Sequence, residues 1–241
     1  MGTPPSARSR RRCLWRGRRV RCVPPAPMQQ YVENMNRHPE RQRQAELLDR
    51  IIRRPADHAR LINTFSRMEY VGVRKMVKSR RSERLDLDGL QHMLDETIHA
   101  MRLKKAALAL ATEKGSVGTF SASDTLAGDA GEDYLQAVDR AAEATLSDLD
   151  ETKRTEVNYL LSSAAIEVRA EAFYPLYEER LRAHGVPVSV AAILRDEDRH
   201  LAEMAARLEA TLPGWRPRLE AVLDAEARFF AAFLGAVEQA L

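Results

Sequence analysis

Two short stretches of the sequence decide the fold, DETIHA at residues 95–100 and DEDRHL at residues 196–201. Each contains a glutamate and a histidine three positions apart: Glu96 with His99, and Glu197 with His200. In an α-helix, residues three apart lie on one face about one turn from each other, so each pair can offer a carboxylate and an imidazole to the same point. One such pair arises readily by chance and is a weak signal by itself.

The surroundings of the two pairs repeat along the chain. Each pair lies beside apolar residues and follows another glutamate set among apolar neighbours, Glu69 in FSRMEYVGV (65–73) and Glu171 in VRAEAFYPL (168–176). The separation between this glutamate and the one that starts the pair is 27 residues in the first case and 26 in the second. The chain therefore contains an internal repeat of the form Glu, helical hairpin turn, Glu-x-x-His.

Apolar residues at helical spacing predict helices through almost all of the chain after Met28. Proline, glycine and polar runs mark where these helices end. Short helices are expected over 39–54 and 132–145, and a last one over 216–241. Four long helices are expected over about 56–81, 86–114, 151–184 and 189–211. The first two are joined by a short connection, as are the last two, so each pair predicts an antiparallel hairpin.

Hairpin geometry predicts that the four glutamates lie at one height in a bundle. Glu171 lies 13 residues, or about 20 Å, before the expected helix end at His184. Glu197 lies eight residues after Ser189, and the turn supplies the remaining offset. The first hairpin gives nearly the same result. Four glutamates and two histidines are therefore expected to converge at the centre of one bundle.

One member of this set has a competitor. Glu167 lies one turn before Glu171 on the same face, about 6 Å away along the helix axis. Residue counting favours Glu171, because Glu167 would lie about a turn too far from the other glutamates. Pro175 removes a backbone hydrogen bond to the Glu171 carbonyl and could kink the helix, which would bring Glu167 into play.

The combined pattern resembles the ferritin-like di-iron carboxylate superfamily, in which two helices each contribute one Glu and two others each contribute Glu-x-x-His. The resemblance covers about residues 56–208. It implies an all-α, ferritin-like four-helix bundle with a long crossover between its second and third helices and extra helices at both ends. By this likeness two iron ions, or manganese, are bound by six side chains: Glu69, Glu96, His99, Glu171, Glu197 and His200.

The chemistry of this set agrees with the resemblance. Carboxylates and imidazoles suit iron or manganese, and four glutamates balance the charge of two divalent ions. His92, one turn before Glu96, is left out of the ligand set as an outer or surface residue. Asp95, Asp196 and Asp198 point elsewhere on their helices, although one of them could hydrogen-bond to a ligating histidine.

Charge and cysteine content exclude several classes of protein. The chain has 38 Lys and Arg against 35 Asp and Glu, but eight of the arginines lie in residues 1–27, which contain no acidic residue. Residues 28–241 are therefore acidic, and no nucleic-acid partner is expected. We expect 1–27 to be a disordered, Arg-rich tail and 28–241 to be a single ferritin-like helical domain. Both cysteines, Cys13 and Cys22, lie in the tail, which excludes a Cys-ligated metal site in the domain.

The leading functional hypothesis is an O2-activating di-iron oxidase or oxygenase that acts on a small organic substrate and receives electrons from a donor protein or reductant. It rests on the two complete Glu-x-x-His pairs, because ferritins that store iron typically lack the second histidine. The alternatives are a ferroxidase, iron-storage or rubrerythrin-like peroxide-scavenging protein, and a metal-free helical interaction protein.

Two further expectations concern the location and assembly of the protein. The sequence contains no apolar run of 18 residues, so no membrane span and a cytoplasmic location are expected. A homodimer is left open, because the apolar FFAAFL stretch (229–234) would serve equally as a core or a dimer stripe.

Overall fold

The computed structural model describes residues 14–15, 18–19, 28–79, 85–113 and 115–241. Within these residues the chain forms eight α-helices and one pair of two-residue strands. The helices are α1 (Gln29–Asn36), α2 (Glu40–Ile52), α3 (Pro55–Ser79), α4 (Leu87–Leu110), α5 (Ala130–Ala144), α6 (Glu151–Ala183), α7 (Ala191–Thr211) and α8 (Arg216–Gln239). The all-α prediction is confirmed, and each predicted helix has a counterpart.

The two strands, β1 (Leu14–Trp15) and β2 (Arg18–Arg19), pair antiparallel, with Leu14 opposite Arg19. The other residues of 1–27 lie outside the described part of the chain, so the disorder expected for this segment stays a prediction. None of the helices among the described residues combines the length and the apolar run that a membrane crossing needs.

Four of the helices pack as a bundle. Helix α3 packs along α4 and α6 packs along α7, while α3 also contacts α6 and α4 also contacts α7. These contacts close a ring of four helices, which is the arrangement of a four-helix bundle. Helices α5 and α8 pack on each other and against α6, α5 also contacts α3, and α1 and α2 contact α6.

Local sequence explains where α4 and α6 begin and end. Asp86 and Asp150 are N-caps, because their side chains accept hydrogen bonds from the backbone N–H groups three residues later, at 2.9 and 3.0 Å. Helix α6 runs unbroken through Pro175. It ends at Ala183, and Gly185, two residues later, has a φ of +63° that allows the Val186 N–H to donate to the Leu181 carbonyl at 3.0 Å.

Helix α1 was not predicted, because its eight residues bury only two side chains, Tyr31 and Val32. So short an apolar face gives no readable period. Tertiary contacts hold this end of the chain instead. The Arg41 guanidinium donates to the Ala172 carbonyl at 2.9 Å, and so joins the start of α2 to α6.

The long connection between α4 and α5 is attached to α3. The Asn63 amide donates to the carbonyl oxygens of Thr119 and Asp124, at 2.8 and 2.7 Å. The Thr64 hydroxyl accepts from the Leu126 N–H at 2.9 Å. Both α3 side chains are buried. The segment therefore packs as part of the domain, and α5 follows it as the start of the second helical layer.

A buried ion pair joins this second layer to the bundle. Arg169 on α6 donates two hydrogen bonds to the Glu226 carboxylate on α8, at 2.8 and 2.7 Å. The Tyr134 hydroxyl on α5 donates to the same carboxylate at 2.7 Å. Glu226 is completely buried, so these hydrogen bonds replace the contacts with water that its carboxylate loses on folding.

Replacing Glu226 by Ala is expected to lower the free energy of unfolding by about 3–5 kcal/mol, because the Arg169 charge would be left buried without its partner. Urea denaturation at pH 7 measures this change. Asp224→Ala removes an exposed carboxylate from the same helix and serves as the control, with an expected change within about 0.5 kcal/mol. Equal stability of the two variants would contradict the structural role of the ion pair.

A buried histidine makes the stability of the fold depend on pH. His58 is 2% exposed, and its Nε2 lies 2.7 Å from the Tyr177 hydroxyl. Burial, with a smaller contribution from nearby His184, lowers the pKa of His58 to about 4. In the unfolded chain His58 binds a proton near pH 6.5, whereas in the folded chain it does so only near pH 4. The free energy of unfolding therefore falls as the pH drops from about 6.5 to 4.

His58→Gln, which keeps a hydrogen-bond acceptor for Tyr177, is expected to remove up to about 3 kcal/mol of this pH-dependent loss. The measurement is the free energy of unfolding at pH 7 and pH 4.5 in both proteins. The variant should lose less stability than the original chain between these two values. An identical loss would show that His58 is already protonated in the folded state.

Candidate metal centre

Seven ionisable side chains from four helices meet in the middle of the bundle. Six of them are buried, and Glu69 is half-buried. Helix α4 contributes three of them, α7 two, and α3 and α6 one each. They are Glu69, His92, Glu96, His99, Glu167, Glu197 and His200.

These side chains form two overlapping groups. The first consists of His92, Glu96, Glu167 and His200, and the second of Glu69, Glu96, His99 and Glu197. Within each group, one donor atom from every residue lies within 4.8 Å of the others. Glu96 belongs to both groups, so its carboxylate lies between two adjacent sets of donors. Carboxylates shared in this way suit two neighbouring cations.

In the first group, two imidazoles face the same carboxylates. His92 Nε2 lies 3.3 Å from Glu96 Oε1 and 3.6 Å from Glu167 Oε1. His200 Nδ1 lies 3.5 and 3.9 Å from the same two oxygens. The rings of His92 and His200 stack with their centroids 3.8 Å apart. Both histidines therefore present a nitrogen to one point between Glu96 and Glu167.

The second group is closed by contacts between α3, α4, α6 and α7. His99 Nδ1 lies 3.3 Å from Glu197 Oε1, and His200 Nδ1 lies 3.1 Å from the other oxygen of Glu197. The Tyr174 hydroxyl on α6 donates to Glu69 Oε1 at 2.8 Å. Glu197 thus links the two groups, and Tyr174 holds the glutamate that α3 contributes.

The outer nitrogens of two histidines are held by aspartates from the opposite helix. Asp196 on α7 lies 3.1 Å from His99 Nε2, and Asp95 on α4 lies 3.3 Å from His200 Nε2. When the imidazole is neutral, a carboxylate at this position favours the tautomer that leaves the inner nitrogen, Nδ1, as an electron-pair donor. The sequence allowed such a role for one aspartate, and the structure shows two in a reciprocal arrangement.

Burial and like charge govern the protonation of the glutamates. Burial, followed by the charges of neighbouring glutamates, raises the pKa of Glu69 and Glu167 well above the usual range. Burial also opposes ionisation of Glu96, but its interactions with His92 and Glu69 outweigh this effect and lower its pKa to about 2. The centre therefore contains more carboxylates than it can hold ionised without added positive charge.

Two of the histidines, His92 and His99, supply that positive charge as protons. Burial disfavours the charged form of His92, but Glu167 and Glu96 outweigh it and raise the pKa to about 10. Glu197 likewise overcomes the effect of burial on His99 and raises its pKa to about 9. A metal ion would replace these protons, so metal binding should release protons and strengthen as the pH rises.

Two buried atoms in the centre lack a hydrogen bond among the described residues. They are Glu96 Oε1 and His99 Nδ1, although each has an oppositely charged partner atom 3.3 Å away. An unsatisfied buried polar atom is costly, and a cation is the partner that both a carboxylate oxygen and an imidazole nitrogen can share. The donor set therefore fits hard or borderline metal ions such as iron or manganese.

Five of the six residues predicted as ligands lie in these groups, and the exception is Glu171. Glu167, the competitor that the sequence left open, lies in the first group instead. Glu171 is half-buried, and burial followed by the charges of Asp198 and Glu167 raises its pKa to about 7. Whether any of these residues binds a metal stays a prediction.

The direction of side chains around α6 explains the difference. Seven residues make almost two whole turns, so Glu167 and Tyr174 lie on one line of the helix, which faces the centre. Glu171 is rotated about 40° from Glu167, toward Asp198 on α7. Counting residues gives the height of each glutamate along the hairpin, but it does not give the direction in which each side chain points around the axis of α6.

Sequence reasoning also left out His92, which the structure places in the first group. One signal could have found it. His92 precedes Glu96 by four residues and His99 by seven, so all three share a face of α4. A histidine on the face that carries two proposed ligands is better placed for the centre than for the surface.

A cavity of about 120 Å³ opens beside the centre. Five of the seven centre residues line it: Glu69, His92, Glu96, Glu167 and Glu197. Its other walls come from α3, α5, α6 and α8 and are mainly apolar and aromatic. A molecule in this cavity would touch the carboxylates directly.

No known protein family, curated protein or solved structure matches this chain. The interpretation therefore rests on the geometry and chemistry of its own residues. These define an all-α protein whose buried His and Glu clusters resemble a carboxylate metal site.

Proposed function

We propose that the protein is an O2-activating di-iron oxidase or oxygenase with a ferritin-like bundle, acting on a small organic substrate. The observation that carries this proposal is the pair of buried donor groups that share Glu96 beside an apolar cavity. Glu69, Glu96, His99 and Glu197 would hold one ion, and His92, Glu96, Glu167 and His200 the other. Two iron ions held there would supply the redox chemistry of O2 reduction, with electrons replenished by a donor protein or reductant.

The protein's own residues would prepare the site for this chemistry. Asp95 and Asp196 orient the imidazoles of His200 and His99 through their outer nitrogens. Tyr174 holds Glu69 by a hydrogen bond at the edge of the cavity. The mainly aromatic and aliphatic walls would give an apolar environment to the place where a substrate would meet the centre.

The alternatives fit the structure less well. A protein that stores or oxidises free iron must pass hydrated ions to its centre, whereas the cavity beside this centre is mainly apolar. A metal-free interaction protein would gain nothing from burying four glutamates together, because their mutual repulsion destabilises the fold. An oxygenase uses both features, the charged centre and the apolar cavity.

The test combines metal analysis with a single reaction with O2. Elemental analysis after expression in metal-replete medium should give two iron ions per chain, and manganese in their place would identify the other candidate metal. The reduced, iron-loaded protein should then consume O2 in a single turnover. A protein that holds stoichiometric iron but does not react with O2 would overturn the proposal. A large multi-subunit shell on a sizing column would instead favour storage.

A further inference from the structure

We propose that the substrate is an uncharged, apolar molecule about the size of one benzene ring, bound in the cavity beside the centre. The role of this molecule as a substrate rests on the proposed function. The binding of such a molecule rests on the cavity alone. The volume, the lining and the charge of the cavity each restrict which ligands can bind in it.

The volume of the cavity limits the size of the ligand. At about 120 Å³ it is slightly smaller than an engineered apolar cavity of about 150 Å³ that binds benzene in another protein. A single ring, or an aliphatic molecule of similar volume, fits such a space. Two fused rings exceed this volume, so the second ring would have to extend out of the cavity or displace its packed walls, which resist compression.

The walls favour an apolar ligand. Helix α3 contributes Phe65 and Met76, α6 contributes Ile166 and Phe173, and α8 contributes Phe230. Phe65, Phe173 and Phe230 pack edge-to-face, with ring centroids 5.9 and 5.4 Å apart along the series. Aromatic edges and a polarisable thioether together form favourable contacts with another ring.

The lysine and the arginine that line the cavity are already paired. Lys75 lies 2.5 Å from Asp139 and also donates to the Ser162 hydroxyl. Arg169 holds the buried Glu226 carboxylate through two hydrogen bonds. An anionic ligand would have to break one of these ion pairs before Lys75 or Arg169 could bind it. A carboxylate-bearing substrate is therefore disfavoured.

The cavity leaves space for the ligand next to the centre itself. Gly72 on α3 lines it, and a Cβ built at this position would lie 3.6 Å from Glu96 Oε2. Because glycine has no side chain, this part of the cavity stays open beside the carboxylate that the two donor groups share. A ring bound here would lie against Glu96 rather than at a remote wall.

The test measures ligand binding without turnover. Full-length protein, freed of metal ions with a chelator so that benzoate cannot coordinate a bound cation, is titrated with benzene, phenol, benzoate and naphthalene, and binding is followed by NMR of the methionine methyl groups. Benzene and phenol are expected to bind, with benzoate and naphthalene at least tenfold weaker. The signals of Met68 and Met76, which line the cavity, should shift.

Two variants locate the binding. Ala170 lines the cavity, and Ala170→Leu should weaken benzene binding at least tenfold by filling space. Met76→Ala should enlarge the cavity and improve the binding of naphthalene. The control is Met28→Ala, which truncates a buried methionine that does not line the cavity and should change the binding of neither benzene nor naphthalene. If Ala170→Leu fails to fold, the comparison of Met76→Ala with Met28→Ala still shows whether the rings bind in this cavity.

Each outcome separates the two proposals. Absence of ring binding, or benzoate bound as tightly as benzene, would overturn the inference about the ligand whatever the iron chemistry. Binding that neither cavity variant changes would overturn it as well. Ring binding in a protein that holds iron but does not react with O2 would refute the oxygenase and leave the ligand preference of the cavity standing.

Discussion

Replacing Glu96 by Gln is expected to abolish the binding of both metal ions, because this carboxylate is the one member that the two donor groups share. Gln keeps the size of the side chain but lacks the charge and one acceptor oxygen of the carboxylate. By contrast, His99→Ala removes a donor from the second group only, and one ion should remain. Elemental analysis of the purified proteins measures both results.

The control for this comparison is Glu179→Gln, which changes an exposed glutamate on α6 and should keep two ions per chain. Far-UV circular dichroism verifies that each variant remains helical. Equal metal content in Glu96→Gln and Glu179→Gln would mean that the shared carboxylate is not a ligand, and the proposed centre would be wrong.

The second large effect concerns the choice between two glutamates on α6. Glu167→Gln is expected to lower the affinity for one of the two ions at least tenfold, whereas Glu171→Gln should leave the metal content unchanged. The reason is that Glu167 Oε1 lies 3.6 and 3.9 Å from His92 and His200, while Glu171 belongs to neither donor group. Loss of metal in Glu171→Gln alone would restore the prediction made from residue counting.

Glu171→Gln should have a different effect, on the pH dependence of stability. Burial, then Asp198 and Glu167, raises the pKa of Glu171 to about 7, so the folded chain binds a proton that the unfolded chain releases near pH 4.5. Stability is therefore lost as the pH rises through this window. At pH 8 the variant should be more stable than the original chain by on the order of 1 kcal/mol, after allowance for solvent screening.

The matching measurement is urea denaturation of the metal-free proteins at pH 5 and pH 8. At pH 5 Glu171 is largely protonated in the folded chain, so the gain of Glu171→Gln should nearly disappear. A gain of the same size at both values would point to packing rather than to ionisation. This pair of readouts distinguishes a ligand, which controls metal content, from a strained carboxylate beside the centre.

The sequence by itself determined those features that depend on one segment at a time. The spacing of apolar residues predicted the helices, and capping by a residue such as Asp86 or Asp88 is equally local because it depends on residues three positions apart. Pairs such as Glu96 with His99 share a face for the same local reason. The convergence of Glu69, Glu96, His99, Glu197 and His200 then required that each hairpin fold back on itself and that the two hairpins pack together at matching heights.

Only the tertiary structure decided how the helices are rotated against one another. The rotation of α6 brings Glu167 and Tyr174 to the centre and turns Glu171 toward Asp198. The same packing brings His92 beside His200, and it closes a cavity between residues far apart in the sequence. These features depend on the rotation and height of one helix relative to another, which packing between helices determines and the period of a single helix does not contain.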